Sequence, residues 1–127
     1  MEVKYIIDTF AWVEYLSGSE RGKAVVSIIE NDFHGTPILV LAELSDKFAR
    51  DGQDFSEILK FIKAKSVIIA MSQEVAINAG KFKKKMRETH KDFGLIDSII
   101  YLTAKEQNAR LISGDNHFKE LDSVVII

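Results

Sequence analysis

Four acids in this sequence occupy positions where a carboxylate can do chemistry: Asp8, Glu43, Asp97 and Asp115. Asp8 follows directly on Val3-Lys4-Tyr5-Ile6-Ile7, an apolar, β-branched run that reads as a buried strand, and Asp115 stands just beyond Arg110-Leu111-Ile112-Ser113. In α/β proteins ligands bind in the crevice beyond the carboxyl ends of the strands, so both acids stand at site positions. Glu43 is flanked by Leu41, Ala42 and Leu44, and Asp97 by Leu95, Ile96, Ile99 and Ile100. An ionised group in so apolar a stretch needs a partner, and neither stretch contains a lysine or arginine.

Each acid also has a plain structural job open to it. Asp8 or Thr9 could cap the helix containing Trp12, Asp115 the turn after its strand, and Asp97 could favour the positive end of its helix dipole. Taken together the acids suggest more, because carboxylates clustered without cations repel one another and raise one or more pKa values. A divalent ion relieves both the desolvation and the repulsion. All-oxygen donors suit Mg²⁺ or Mn²⁺, which keep several waters and complete their coordination with substrate phosphate. The matching chemistry is phosphodiester hydrolysis, with the metal activating a water and neutralising charge on the phosphate.

The elements that must position these acids alternate along the chain. Ala11 to Leu16 is a short apolar stretch ended by Ser17-Gly18-Ser19, and Ser19 caps a helix to about Asn31 with Ala24, Val25, Ile28 and Ile29 at helical spacing. After Gly35-Thr36-Pro37, the run Ile38-Leu39-Val40 is too short to classify by period. Leu41, Leu44 and Phe48 then give a helical stripe with Glu43 near its start. Phe55, Ile58, Leu59 and Ile62 form one helix face leading to a third strand, Val67 to Ala70. Ser72 caps a long helix that buries Val75, Ala79, Phe82 and Met86. Beyond Gly94 a helix runs from Leu95 to about Asn108, followed by a fourth strand, Arg110 to Ser113, a turn near Asn116 to Leu121, and a last strand, Val124 to Ile127. Strands alternating with helices predict an α/β fold, a parallel sheet covered by helices on both faces, in one domain over residues 1–127.

Composition narrows the function classes. The 127 residues, 46% of them hydrophobic, suffice for one real core. There is no cysteine, and His34, His90 and His117 lie too far apart for the common zinc spacings. No apolar run approaches the roughly 18 residues of a membrane span, so the expected setting is cytoplasmic, with no membrane partner. A net charge of −2 argues against coating nucleic acid by charge alone. Gly18-Ser19-Glu20-Arg21-Gly22-Lys23-Ala24 departs from a P-loop, with three residues between its glycines and Ala24 in place of the hydroxyl. A receiver domain would need an acceptor aspartate after the third strand, where this chain has Ala70-Met71-Ser72.

Ile7-Asp8-Thr9, Leu41-Ala42-Glu43-Leu44, Leu95-Ile96-Asp97-Ser98-Ile99-Ile100 and Ser113-Gly114-Asp115-Asn116-His117-Phe118, in this order and spacing, resemble the PIN-domain nucleases, and within them the VapC-like toxins of toxin–antitoxin pairs. The resemblance covers nearly the whole chain. It implies a PIN-like α/β/α sandwich, Asp8, Glu43, Asp97 and Asp115 as catalytic, metal-coordinating acids, and Thr9 and Ser113 as hydroxyls that support the acids or face the phosphate. It further implies Mg²⁺- or Mn²⁺-dependent endonuclease cleavage of RNA, a small antitoxin protein as partner, and a homodimer. Two positions depart from the pattern: Phe10, where many members carry a small or polar residue, and His117, where some carry a further acid.

Lys81, Lys83, Lys84, Lys85, Arg87 and Lys91 stand in one short segment with Glu88 as its acid between Lys81 and Lys91, and they either track an RNA backbone or form a solvated helix face. Trp12 and Phe10 either stack bases or pack in the core. Two functions stay open at this point: a metal-dependent ribonuclease, or a non-catalytic PIN-fold module for binding or assembly in RNA processing. The four intact acids favour the enzyme.

Overall fold

The computed structural model describes residues 2–127. In chain order its elements are β1 (Tyr5–Ile7), α1 (Thr9–Ser17), α2 (Glu20–Asn31), β2 (His34–Pro37), α3 (Ile38–Arg50), α4 (Ser56–Lys65), β3 (Val67–Ile69), α5 (Gln73–Met86), α6 (Leu95–Glu106), β4 (Arg110–Ser113), a 3₁₀ turn (Asn116–Phe118) and β5 (Val124–Ile126). Among the described residues the strands form one sheet, ordered β3-β2-β1-β4-β5, with every neighbouring pair parallel. The central β1 carries Ile6 and Ile7, both fully buried, as a parallel strand covered on both faces requires.

The chain leaves β1 toward β2 and β3 on one side, then crosses to β4 and β5 on the other. Right-handed crossovers running in opposite directions place their helices on opposite faces, giving three layers. Two aromatic groups mark the two helix layers. Trp12, Tyr15 and Phe61 join α1 to α4, whereas Phe82, Phe93, Tyr101 and Phe118 join α5 and α6 to the 3₁₀ turn. Trp12 is wholly buried, and its Nε1 donates to Thr36 Oγ1 at 3.0 Å, which in turn is 2.7 Å from Ser66 Oγ. Core packing, not base stacking, is therefore the role of Trp12.

The run Ile38-Leu39-Val40 is the first turn of α3, and the second strand is His34–Pro37 instead. Proline explains the boundary: Pro37, at φ −60° and ψ 144°, closes the strand and stands at the helix N-cap, where its missing N–H costs nothing. Val40 and Leu44, one turn apart, then face the core while Ile38 is exposed. Glu43 consequently sits in the second turn of α3, one turn deeper than its neighbours suggested. The stretch from Ala11 to Leu16 likewise belongs to a full helix, α1, capped by Asp8.

The glycine pair that suggested a P-loop serves packing. Gly18 ends α1 in the left-handed conformation, with φ 68°, and a Cβ on Gly22 would lie 2.1 Å from the carbonyl oxygen of Glu14. The two helices meet there without room for a methyl group. Gly22→Ala should therefore destabilise the protein by about 1–3 kcal/mol, read as a lower urea midpoint. Gly80→Ala, on an exposed turn of α5 with nothing near the added carbon, should be neutral or slightly stabilising.

Candidate metal centre

The site is built where the sheet order reverses. Ile7 of β1 is in register with Ile112 of β4, and the backbone N–H of Asp8 donates to the carbonyl of Ile112 at 3.2 Å. Asp8 therefore leaves its strand beside Ser113, in the crevice where the chain diverges to either side. Its Oδ1 caps α1 by accepting from the Ala11 N–H at 2.8 Å. Thr9, the first residue of α1, donates its hydroxyl to Glu43 Oε1 and so holds the α3 acid over the same edge.

The other two acids come from the opposite layer. Asp97, in the first turn of α6, accepts from the Gly94 N–H at 2.8 Å, and its Oδ2 lies 2.9 Å from Nδ1 of His117. Asp115 caps the 3₁₀ turn by accepting from the His117 N–H at 2.9 Å, while its own N–H donates to Ser113 Oγ at 3.0 Å. Asp8, Asp97 and Asp115 thus do hold the helix starts, the plain structural role open to each of them. A carboxylate has about four lone-pair sites, so one cap fixes its direction and leaves most of its donor capacity facing outward.

All four acids line a single cavity of about 220 Å³ together with Thr9, Phe10, Ile100 and Phe118. Asp8 is 3% exposed. Burial pushes its carboxyl up to about 7 against the pull of hydrogen bonds from Ser113 and Ala11, with the charges of Asp115 and Glu43 raising it further. Burial also raises Glu43, opposed by the Thr9 hydroxyl and reinforced by Asp97 and Asp115. Asp97 rises for the same first reason, restrained by the Gly94 N–H and by His117 and pushed by Asp115. None of these shifts has a lysine or arginine among its causes.

Such a donor set fits a divalent ion. Asp97, Asp115 and His117 each offer one ligand atom within 4.8 Å of the others. Bonds of about 2.1 Å hold the ligand atoms of one ion within roughly 4.2 Å of each other, so modest side-chain movement closes the set. Asp8 and Glu43 line the same cavity and bring two further carboxylates to it. The sequence marked His117 only as standing where some family members carry a further acid; its position two residues past Asp115, across a capped turn, was the signal that it joins the group.

The remaining candidates are placed less centrally. Ser113 is fully buried, where its hydroxyl group supports Asp8 and Asp115. Phe10 forms part of the cavity wall, pressed on Gly114, with the Arg21 guanidinium 5.5 Å over its ring. Lys81, Lys83, Lys84 and Lys85 lie on α5 and do not line the cavity. Arg87 donates Nε–H to the Phe93 carbonyl at 2.8 Å, pinning the loop before α6. An adjoining groove of about 370 Å³ shares Thr9 and Glu43 with the cavity and adds Lys47 and Arg50. Glu43, Lys47 and Arg50 recur at i, i+4 and i+7 of α3, the spacing that could have revealed them.

A parallel sheet with four acids around a cavity at its switch point is the arrangement that the sequence resemblance implied. The chain belongs to the PIN domain family, whose model matches residues 5–124. Its fold is similar to that of a toxin–antitoxin complex from Klebsiella pneumoniae, at TM-score 0.76 and 20% identity, covering 96% of each chain. It is also similar to VapBC2 from Rickettsia felis bound to a DNA fragment from the promoter, at TM-score 0.73 and 20% identity over 97% of this chain and 96% of that one. DNA-bound VapBC from Salmonella typhimurium matches at TM-score 0.72 and 12% identity, over 98% and 97%. No curated protein matches the chain by sequence. Among the described residues no helix is long and apolar enough to cross a membrane.

The raised carboxyl of Asp8 has a definite pH consequence. Between the ordinary value of 3.8 and about 7 the unfolded chain loses this proton before the folded one does, so folding stability falls as pH rises through that window. Asp8→Asn keeps the Oδ1 cap and deletes the charge. In EDTA its stability advantage over wild type should grow from pH 4 to pH 7 and then level, reaching roughly 2–4 kcal/mol, since a tenfold change in proton affinity is worth about 1.4 kcal/mol. Urea titrations of both proteins across this range measure it; a constant difference would mean that Asp8 titrates normally. His34, which burial shifts downward, is common to both proteins and cancels.

Proposed function

We propose that this chain is a Mg²⁺- or Mn²⁺-dependent endoribonuclease and the toxin of a VapBC-type toxin–antitoxin pair. The observation that carries the reading is the convergence of Asp8, Glu43, Asp97 and Asp115 on one cavity at the sheet's switch point, with His117 set against Asp97 and Asp115. A divalent metal held there by these carboxylates would supply a water of lowered pKa and neutralise charge on the phosphate. The protein's own groups set the geometry: Thr9 aims Glu43, Ser113 steadies Asp8 and Asp115, and the Gly94 N–H aims Asp97. Phe10 and Phe118 give the cavity apolar walls that limit water. Lys47 and Arg50 line the path by which an RNA backbone reaches Glu43, each loosely held by an acid of its own helix end at 3.1 Å, so phosphate can replace Asp51 or Asp46 at little cost. The similarity to toxin–antitoxin complexes supports a small antitoxin as partner, and PIN-family membership supports nuclease chemistry.

Short single-stranded RNA should be cleaved by the purified protein in Mn²⁺ or Mg²⁺ and left whole in EDTA. Asp8→Asn and Asp97→Asn should each lower the rate by on the order of a hundredfold or more, the scale of losing one preorganised electrostatic group. Equal cleavage by wild type and variants in EDTA would assign the activity to a contaminant.

RNA binding, measured in the Asp8→Asn background so that the strand survives, separates two basic surfaces. Each side chain that neutralises a phosphate on a single strand contributes about 0.7 to the slope of log affinity against log salt. Replacing Lys47 and Arg50 together by Gln should therefore flatten the slope by about 1.4. The triple change Lys83→Gln, Lys84→Gln and Lys85→Gln should flatten it only if α5 also follows the backbone, and an unchanged slope returns those lysines to solvent.

A further inference from the structure

We propose that His117 is itself a metal ligand, and that its nitrogen makes this centre prefer Mn²⁺ to Mg²⁺. The inference rests on the metal-dependent reading of the acidic cavity and adds to it a donor of a different chemical kind. Nδ1 of His117 lies 2.9 Å from Asp97 Oδ2 and 3.5 Å from Asp115 Oδ1, so the imidazole nitrogen stands between the two carboxylates.

The backbone holds it there. Asp115 Oδ1 accepts the His117 N–H at 2.9 Å, so the carboxylate that would share an ion with the histidine also fixes the turn on which the histidine stands. Phe118, the next residue, is buried against Phe93 with ring centroids 6.1 Å apart, anchoring that turn to the core. The imidazole is 36% exposed, within reach of an ion entering from solvent.

Ligand chemistry then gives the direction of selectivity. Mg²⁺ is a hard cation that takes oxygen and dehydrates reluctantly, whereas transition-metal ions accept imidazole nitrogen. Asp8, Glu43, Asp97 and Asp115 offer oxygen, which suits either ion. His117 is the one member of the group that distinguishes them. Without metal Nδ1 is hydrogen-bonded to Asp97 Oδ2; an ion held by Asp97 and Asp115 would displace that proton and take the nitrogen's lone pair instead.

The test reads the ion directly. Pulsed electron paramagnetic resonance of the Mn²⁺-loaded wild type should show ¹⁴N modulation from a coordinated imidazole. His117→Asp should abolish it, which assigns the signal to His117 over His34 and His90. By isothermal titration calorimetry, the ratio of the Mg²⁺ to the Mn²⁺ dissociation constant should fall about tenfold or more in His117→Asp, and His117→Gln should weaken Mn²⁺ binding with little effect on Mg²⁺. Bound Mn²⁺ without nitrogen modulation in the wild type would overturn the inference while leaving the metal-dependent reading intact. Absence of Mn²⁺ binding at millimolar concentration would overturn both.

Discussion

Repulsion among carboxylates is the constraint around which this molecule is arranged. Asp8, Glu43, Asp97 and Asp115 face one cavity, and burial together with their mutual field lifts the proton affinity of Asp8, Glu43 and Asp97. Such a cluster persists only if each acid is held by something other than its neighbours. The holding groups are backbone amides at element starts: Ala11 for Asp8, Gly94 for Asp97 and the His117 N–H for Asp115. A helix start carries a positive partial charge, so the same devices that fix direction also offset part of the repulsion.

Capping and ligation are therefore not rival roles here. A cap engages one face of a carboxylate and leaves another free: α1 and the 3₁₀ turn start on a capping acid, and in the first turn of α6 Asp97 bonds back to the N–H of Gly94 at the cap. Glu43 is the exception, since α3 starts at Ile38 after Pro37 and the acid projects from the second turn. It needs a side-chain partner instead, and Thr9 provides one.

Strand-terminal acids were legible in the sequence because a buried parallel strand is an unbroken apolar run, and whatever polar residue ends it must stand at the sheet edge. Asp8 after Ile7 and Asp115 just past Ser113 both follow that logic. Asp97 was legible from the apolar residues on both sides of it. The boundary at Pro37 was not, because Ile38-Leu39-Val40 is too short to show either period, and only the later positions Leu44 and Phe48 reveal a helix. The pair Lys47 and Arg50 went unread, and His117 was read only as a departure from the family pattern, because their local spacing gains meaning only from what other elements bring beside them. Trp12 and Phe10, two residues apart, show the same limit, one wholly buried and the other lining the cavity.

The placement of β1 between β2 and β4 has a consequence for how the centre comes into being during synthesis. A nascent chain that has emerged as far as β3 can pair β1 with β2, but the other edge of β1 stays open until Arg110 to Ser113 arrives. Asp97 and Asp115 come from this late-translated portion. Because the acids are contributed from residue 8 to residue 115, no fragment released early from the ribosome assembles the cavity. A truncated translation product lacks the four-acid cavity by topology, and a cell making this protein meets the acidic centre only once nearly the entire described chain has been threaded into one sheet.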